Sequence, residues 1–308
     1  MANFTSKFSP PGKQITVNGH KMHIYCMGKN KSHTVIMDAG VGRFSLDFVK
    51  PMIGISKFAS VCAFDRAGYG WSEPSPLPRT SKNIINEMAE LLKQAGKHGP
   101  YILVGHSGGG MYVRIFAHYY PEKVAGLILI DSAAVPADSL PELKSFQKRM
   151  TYQFQIMKII AYVKFFNFLG LIDHHHKYIP SFIKKIDPSV QQAYIATLSQ
   201  PAYYKTILDE LSHFDHSSKE VWQQLNHIQS LGNIPLVILS SDYPLNMKNG
   251  MTRVSIEKIN RYLKESQKKL LSLSSRSIHI AIPESTHDIH LDYPQAIVDA
   301  VQKIIEMQ

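Results

Sequence analysis

A serine between glycines lies where a strand-like run of this chain meets a helix-like segment. Residues 101–105 are apolar, residues 105–109 read GHSGG, and residues 111–117 resemble the start of a helix. This arrangement is typical of a tight strand-to-helix turn, in which the serine has a strained backbone and presents its hydroxyl above the sheet. The first N–H groups of the helix then point at whatever the hydroxyl attacks. The pattern predicts Ser107 as a nucleophile.

Short strand-like runs alternate with helix-like stretches over most of the 308 residues. Runs that are apolar throughout are typical of strands buried on both faces, so the sequence predicts an α/β fold with a mostly parallel sheet covered by helices. Residues 20–26 alternate between polar and apolar side chains, which favours an edge strand. Helices are expected at residues 81–95 and 294–307. The strand-like runs are residues 20–26, 33–38, 60–64, 101–105, 124–130, 234–241 and 277–282.

The strand pattern stops between residues 136 and 231, where prolines interrupt helix-like stretches. Because strands return afterwards, we expect one core domain formed by residues 1–135 and 232–308, with residues 136–231 inserted as a helical cap. Residues 141–200 hold eight Lys or Arg against three Asp or Glu, together with several Phe. This composition predicts a lid over an apolar pocket.

The formal net charge of +10 is compatible with binding to nucleic acid or to an anionic membrane. The lysines, however, are spread along the chain, and no nucleic-acid-binding motif accompanies them. We therefore interpret the charge as a basic surface and predict no nucleic-acid partner and no stable membrane association. Histidines 174–176 are interpreted as part of a solvated loop, since three adjacent side chains cannot all face one metal ion on a helix.

The two cysteines, Cys26 and Cys62, both occur in strand-like runs. We interpret them as small, buried, reduced residues rather than as a disulfide, which fits a reducing cytosol. The first residues of the chain lack the apolar segment that is typical of a secretory signal. Together these observations predict a cytoplasmic protein.

A serine hydroxyl becomes a good nucleophile when a base removes its proton and an acid orients that base. His287 follows the last strand-like run and precedes the closing helix, at the edge where parallel sheets build their sites. His290 is the alternative base, and a solvent-exposed or helix-capping role is the competing interpretation for it. We predict His287 as the general base.

Together with Ser107 and His287, several motifs resemble those of the α/β hydrolases, and the resemblance extends over nearly the whole chain outside the cap. It implies an eight-stranded, mostly parallel sheet flanked by helices, with an inserted helical cap. The likeness is to esterases and lipases rather than to epoxide hydrolases or haloalkane dehalogenases, which carry an aspartate at the position of Ser107. The motifs are residues 38–42 (DAGVG), 65–72 (DRAGYGWS), 105–109 (GHSGG), 121–131 (PEKVAGLILID) and 286–292 (THDIHLD).

The family that the sequence resembles forms its oxyanion hole from two backbone N–H groups. One belongs to the residue after the nucleophile, here Gly108, and the other comes from the loop after an early strand, here Val41. Gly40 permits the close approach of that loop. Asp38 is expected to turn away from the oxyanion and to hydrogen-bond to the backbone, and residues 65–70 are expected to brace the site.

The acid that orients His287 has two candidates. The family most often places it after the penultimate strand, where Asp242 occurs in the sequence SSDYP without the usual glycine. A minority of members place it at the end of the strand that follows the elbow helix, where Asp131 occurs. We favour Asp131, and Asp242 stays open as the alternative. Asp288 is too close in sequence to His287 to orient it.

These residues predict a serine esterase that cleaves carboxylic esters with an apolar moiety through an acyl-enzyme on Ser107. The expected partner is a small-molecule ester, and the chemistry requires no cofactor and no metal. An amidase or peptidase, a carbon–carbon hydrolase and an acyltransferase on the same triad stay open as alternatives, as does a non-catalytic binding protein. The sequence specifies neither the physiological substrate nor the oligomeric state.

Overall fold

An eight-stranded sheet lies at the centre of the molecule in the computed structural model, which describes residues 8–29, 31–132, 134, 140–162, 181–214, 220–241 and 252–308. The strands are β1 (Lys13–Val17), β2 (His20–Met27), β3 (Thr34–Asp38), β4 (Ser60–Phe64), β5 (Tyr101–His106), β6 (Val124–Ile130), β7 (Leu236–Ser241) and β8 (Ser277–Ile282). Their order in the sheet is β1-β2-β4-β3-β5-β6-β7-β8. β2 is antiparallel to β1 and β4, and the other neighbouring pairs are parallel. The predicted fold class is confirmed.

Helices cover both faces of this sheet. They are α1 (Val49–Ile55), α2 (Ser81–Gln94), α3 (Gly108–Tyr119), α4 (Pro141–Tyr162), α5 (Gln191–Leu198), α6 (Pro201–Phe214), α7 (Glu220–His227), α8 (Arg253–Lys269), α9 (Ile289–Asp292) and α10 (Pro294–Glu306). Ile36 and Leu103 face the apolar cluster that contains α2 and α3, whereas Val35 and Val104 face the cluster that contains α1 and α10. Successive strand residues point to opposite faces, so continuous apolar runs fill both cores.

Strand β1 is absent from the sequence prediction, and its presence makes the prediction of an edge strand at residues 20–26 wrong. β2 pairs with β4 on one side and with β1 on the other, so β1 forms the edge. The turn between β1 and β2 is Asn18-Gly19, with φ angles of 47° and 85°. An Asn-Gly pair at such angles is a strong hairpin signal, so the sequence does contain the information that identifies β1.

The interpretation of Cys26 and Cys62 as two buried, reduced residues is wrong. They face each other in the antiparallel β2–β4 pair, with their Cα atoms 4.1 Å apart, and they form a disulfide. Cys62 is buried, whereas Cys26 is exposed. Sequence spacing could not reveal this pairing, because it depends on the register of two strands whose cysteines are 36 residues apart. The cysteines therefore give no support to a reducing compartment.

Four α-helices and no strand occur in the described residues between β6 and β7, and the cap at residues 136–231 stays a prediction. Helices α4 to α7 belong to this part of the chain, which we name the β6–β7 segment (residues 131–235). Aromatic contacts join it to the loops of the sheet: Tyr194 stacks on Phe44 with ring centroids 4.2 Å apart, and Tyr203 lies 5.8 Å from Tyr69. None of the helices in the described ranges is long and apolar enough to cross a membrane.

Candidate active site

Ser107 lies between β5 and α3, at the carboxyl edge of the sheet. Its φ and ψ angles are 50° and −117°, and such a conformation costs a non-glycine residue about 1–3 kcal/mol. A Cβ on Gly109 would lie 2.3 Å from the carbonyl oxygen of Asp38, and one on Gly105 would lie 2.5 Å from Gly110 Cα. The strained turn that the sequence predicts is present, and its close packing explains why glycines surround the serine.

Asp131 and His287 meet at the same edge of the sheet. Asp131 Oδ2 lies 2.7 Å from His287 Nδ1, so Nδ1–H donates to the carboxylate. Asp131 follows β6 with a φ angle of 41°, and the N–H and the hydroxyl of Ser241 each donate to its carboxylate at 3.2 Å. The structure thus brings the predicted base together with the favoured acid. The alternative acid, Asp242, lies outside the described residues.

The hydrogen bond to Asp131 leaves Nε2 of the neutral His287 ring as the proton acceptor. The side chain is 41% exposed. Partial burial of the ring lowers the pKa of His287, but the hydrogen bond and charge of Asp131, together with the charge of Asp288, outweigh it, so this pKa is raised. The hydroxyl of Ser107 makes no hydrogen bond with the described residues. Catalytic hydrogen bonds are often long before a substrate binds.

Two further histidines pack behind His287. His106 Nε2 lies 3.0 Å from the carbonyl oxygen of His287 and donates to it, since a carbonyl can only accept. The His106 ring lies 4.7 Å from that of His287 and 4.3 Å from that of His290. Burial, followed by the charges of His290 and His287, holds the pKa of His106 well below its usual range, so its ring is neutral. His290 is completely buried, so the interpretation of it as solvent-exposed is wrong.

Val41 belongs to the loop after β3, which we name the β3 loop (residues 39–43). A Cβ on Gly40 would lie 3.3 Å from Ser107 Cβ and 3.1 Å from His106 Nδ1, so a glycine lets this loop approach the elbow closely. Gly108 opens α3 directly after Ser107. Both backbone segments thus lie beside Ser107, and the role of their N–H groups as oxyanion donors stays a prediction.

Asp38 pairs with a side chain, not with the backbone groups that the sequence predicts as its partners. Its carboxylate forms an ion pair with Arg66, and both residues are buried. Burial raises the pKa of Asp38 to about 6, and Arg66 opposes this effect. Arg66 also donates to the carbonyls of Ala39 and Gly40, at 2.5 and 2.8 Å. Within residues 65–70, Arg66 therefore braces the backbone of residues 39 and 40 beside Ser107.

Arg43, which sequence reasoning does not identify, connects the β3 loop to the neighbour of His287. Its guanidinium pairs with Asp288, and its Nε lies 3.1 Å from Asp47. The charge of Arg43 lowers the pKa of His287, whereas that of Asp288 raises it. Sequence reasoning could not identify this pair, because Arg43 and Asp288 are 245 residues apart in the chain.

His106, Asp288 and His290 have donor atoms within 4.8 Å of one another, a spacing that a metal ion could use. Asp288 is paired with the guanidinium of Arg43, and His106 donates to the His287 carbonyl. A cation at this place would compete with Arg43 for the same carboxylate, so we assign no metal to these residues. Histidines 174–176 lie outside the described residues.

Comparison with known proteins gives the same fold. The model of the protein family described as the α/β hydrolase fold matches residues 54–280 of the chain. YqjL, an uncharacterized protein of Bacillus subtilis, is 24% identical over 299 residues, which are 95% of this chain and 91% of YqjL. An uncharacterized Schizosaccharomyces pombe protein is 31% identical over 166 residues, 44% of this chain and 31% of that protein. The B. subtilis protein YbdG is 28% identical over 197 residues, which are 64% of this chain and 56% of YbdG. The chain thus spans about a third of the length of the S. pombe protein and about half of the length of YbdG.

Solved structures of hydrolases superpose on nearly the whole chain. The epoxide hydrolase CorEH has a TM-score of 0.72 at 15% identity, and the match covers 96% of this chain and 98% of CorEH. A thermophilic esterase from Thermogutta terrifontis has a TM-score of 0.64 at 17% identity, with 96% and 97% covered. At such identities the likeness shows the fold alone.

Proposed function

Because the chain belongs to the α/β-hydrolase fold family, we propose that it is a hydrolase that cleaves carboxylic esters with an apolar moiety through an acyl-enzyme on Ser107. The observation that carries this proposal is the 2.7 Å hydrogen bond between His287 Nδ1 and Asp131, at the sheet edge that holds Ser107. An imidazole that a carboxylate orients in this way is what a serine hydroxyl needs in order to lose its proton.

In the first half of the reaction, Nε2 of His287 takes the proton of Ser107 as its Oγ attacks the ester carbonyl. The resulting oxyanion accepts hydrogen bonds from the N–H groups of Val41 and Gly108. The C–O bond to the alcohol then breaks, and His287 returns the proton to the leaving alkoxide. Asp131 stabilises the imidazolium that exists between these two proton transfers.

In the second half, water attacks the acyl-enzyme. His287 takes a proton from this water, the same N–H groups hold the second oxyanion, and His287 protonates Ser107 Oγ as the carboxylic acid leaves. The cycle restores all groups and requires neither a cofactor nor a metal.

The nucleophile favours ester cleavage over the opening of an epoxide. Attack of a hydroxyl on an ester gives an acyl-enzyme. Water then attacks the carbonyl carbon of this acyl-enzyme and releases the acid from Ser107. Attack of Ser107 on an epoxide would give an ether, and water does not release the product from an ether under these conditions. This chemistry separates the chain from the epoxide hydrolase CorEH, which shares its fold.

Apolar side chains near the β3 loop support an apolar substrate. Val41 packs against an apolar cluster that also receives Phe154, Met157 and Phe182 from the β6–β7 segment. We therefore propose that residues 136–231 act as a cap that binds the apolar moiety of the ester. A small ester is the one partner that this chemistry requires.

A series of p-nitrophenyl esters from acetate to decanoate, measured beside aminoacyl amides, tests the proposal. The wild-type protein should hydrolyse the esters with a preference for longer chains, and Ser107→Ala should lower the rate by roughly 10³-fold or more. Ester hydrolysis that persists in Ser107→Ala, or a wild type that hydrolyses none of the esters, would contradict it. Faster hydrolysis of the amides would instead support an amidase on the same residues.

A further inference from the structure

Helix α6 of the β6–β7 segment contacts the β3 loop directly. The hydroxyl of Tyr203 donates to the carbonyl oxygen of Gly42 at 2.6 Å, and this hydrogen bond is buried. A Cβ on Gly42 would lie 3.0 Å from Ile207 Cδ1 and 3.1 Å from the Tyr203 hydroxyl. One face of α6 therefore packs on the backbone of this loop without a side chain of the loop in between.

A second contact runs from α6 through Arg66. Glu210 is completely buried, and its carboxylate accepts from Arg66 Nη2 at 3.0 Å. The hydroxyls of Tyr69 and Tyr112 also donate to it, at 2.8 and 3.1 Å. Asp38 is the other acidic partner of Arg66. The buried guanidinium is thus held between one carboxylate of the core and one of α6, and a buried charge requires such partners.

Arg66 in turn determines the orientation of one peptide group of the β3 loop. Its Nη2 donates to the Gly40 carbonyl at 2.8 Å, and the N–H of Arg43 donates to the same oxygen at 3.0 Å. The carbonyl of Gly40 and the N–H of Val41 belong to one planar trans peptide and point in opposite directions. Two donors on the carbonyl therefore fix the direction in which the Val41 N–H points.

We propose that α6 is a positioning element for the oxyanion hole, in which Glu210 acts through Arg66 and Tyr203 acts on Gly42. The two contacts hold the Gly40–Val41 peptide so that its N–H points at the developing oxyanion. This inference rests on the proposed function and adds to it: the β6–β7 segment contributes to the chemical step as well as to the binding of substrate. Neither residue touches the substrate carbonyl, so both are positioning residues.

Glu210→Gln and Tyr203→Phe test this inference, since each keeps the shape of the side chain. Loss of a whole oxyanion donor lowers kcat by roughly 10²- to 10³-fold, so a misdirected Val41 N–H should lower kcat by about 10- to 100-fold. We expect KM for a p-nitrophenyl ester to stay within about twofold, because the aligned N–H matters most in the transition state. A role of α6 in docking alone would raise KM and lower the melting temperature while kcat stays unchanged.

Two neighbours on α6 provide matched controls. Asp209 is 43% exposed, and the hydroxyl of Tyr204 makes no hydrogen bond with the described residues. Asp209→Asn and Tyr204→Phe make the same chemical changes beside the two test positions, and they should keep the wild-type kcat. Equal losses of kcat in the controls would contradict the inference.

An alkyl trifluoromethyl ketone gives a second readout. It forms a hemiketal with Ser107, and the hemiketal oxygen occupies the place of the oxyanion. Its inhibition constant should rise in Glu210→Gln and Tyr203→Phe by about the factor by which kcat/KM falls. Inhibition constants and kcat values within twofold of the wild type in both variants would overturn the inference. If Glu210→Gln does not fold, Tyr203→Phe decides alone. A wild type without ester hydrolysis would instead contradict the proposed function.

Discussion

Asp131 is the residue on which the protonation state of His287 depends. It has a φ angle of 41°, which is uncommon outside glycine, and Ser241 holds its carboxylate with two hydrogen bonds. These constraints direct Oδ2 to Nδ1 of His287. Ser107 and Asp131 thus share a positive φ angle, each directly after a buried strand.

Asp131→Asn should lower kcat/KM by roughly 10³- to 10⁴-fold, because the amide no longer holds the ring in the correct tautomer. The raised pKa of His287 keeps the ring protonated, and unable to act as a base, to a higher pH. The acidic limb of the wild-type profile should therefore lie above the ordinary value of 6.5. Loss of the carboxylate removes the interaction that raises this pKa, so the midpoint should shift to lower pH.

The profile of kcat/KM between about pH 5 and 9 measures both effects of Asp131→Asn. Asp299→Asn, at an exposed position of α10, is the control and should leave rate and profile unchanged. A variant with the wild-type midpoint would show that Asp131 does not set the pKa of His287.

At the scale of elements, strands β3 to β8 and helices α2 and α10 follow from local patterns. The predicted bounds of these strands differ from the observed ones by no more than two residues. For β3 to β7 the reason is that continuous apolar runs are buried only when both faces of the sheet are covered. β8 is an edge strand whose first five residues are partly or fully exposed, so this reason does not apply to it. β1 is missed because it is mostly exposed, with one buried residue, Val17. Its identification depends on the turn Asn18-Gly19 instead.

Gly19→Ala should lower the free energy of unfolding by about 1 kcal/mol, because an alanine is strained at a φ angle of 85°. Nothing lies within 4 Å of the added Cβ, so the effect is conformational and not steric. Asn18 also has a positive φ angle in this turn, which a glycine adopts without strain. Asn18→Gly should therefore lower the free energy of unfolding by less than half as much as Gly19→Ala. Urea unfolding of both variants measures the difference, and an unchanged value for Gly19→Ala would argue against this turn.

At the scale of the whole molecule, contacts between distant parts of the chain are what sequence reasoning could not supply. Ser107 and His287 are found because strand ends and loops carry local signals. The pairs Arg43–Asp288 and Arg66–Glu210 and the disulfide Cys26–Cys62 depend on strand order and register, which no local pattern contains. Asp131 is different, because the sequence already favours it as the acid, and the structure adds its 2.7 Å contact with His287 Nδ1.

The disulfide constrains the molecule as a whole, since it connects β2 and β4 across 36 residues of chain. A cross-link of this span stabilises by up to about 3–4 kcal/mol in the chain-entropy view. A reductant should therefore lower the melting temperature of the wild type, as the exposed Cys26 is accessible to it. Cys26→Ser should melt near the reduced wild type and should not respond to the reductant. A wild type that does not respond would contradict the cross-link.

Peptide mapping after reaction with a fluorophosphonate tests the central role of Ser107 most directly. The probe reacts with an activated serine and forms a stable adduct, so its position identifies the nucleophile. We predict one adduct per chain, on Ser107, with loss of labelling in Ser107→Ala and strongly slowed labelling in His287→Ala. An adduct on another residue, or equal labelling of the wild type and Ser107→Ala, would contradict the assignment of Ser107 as the nucleophile.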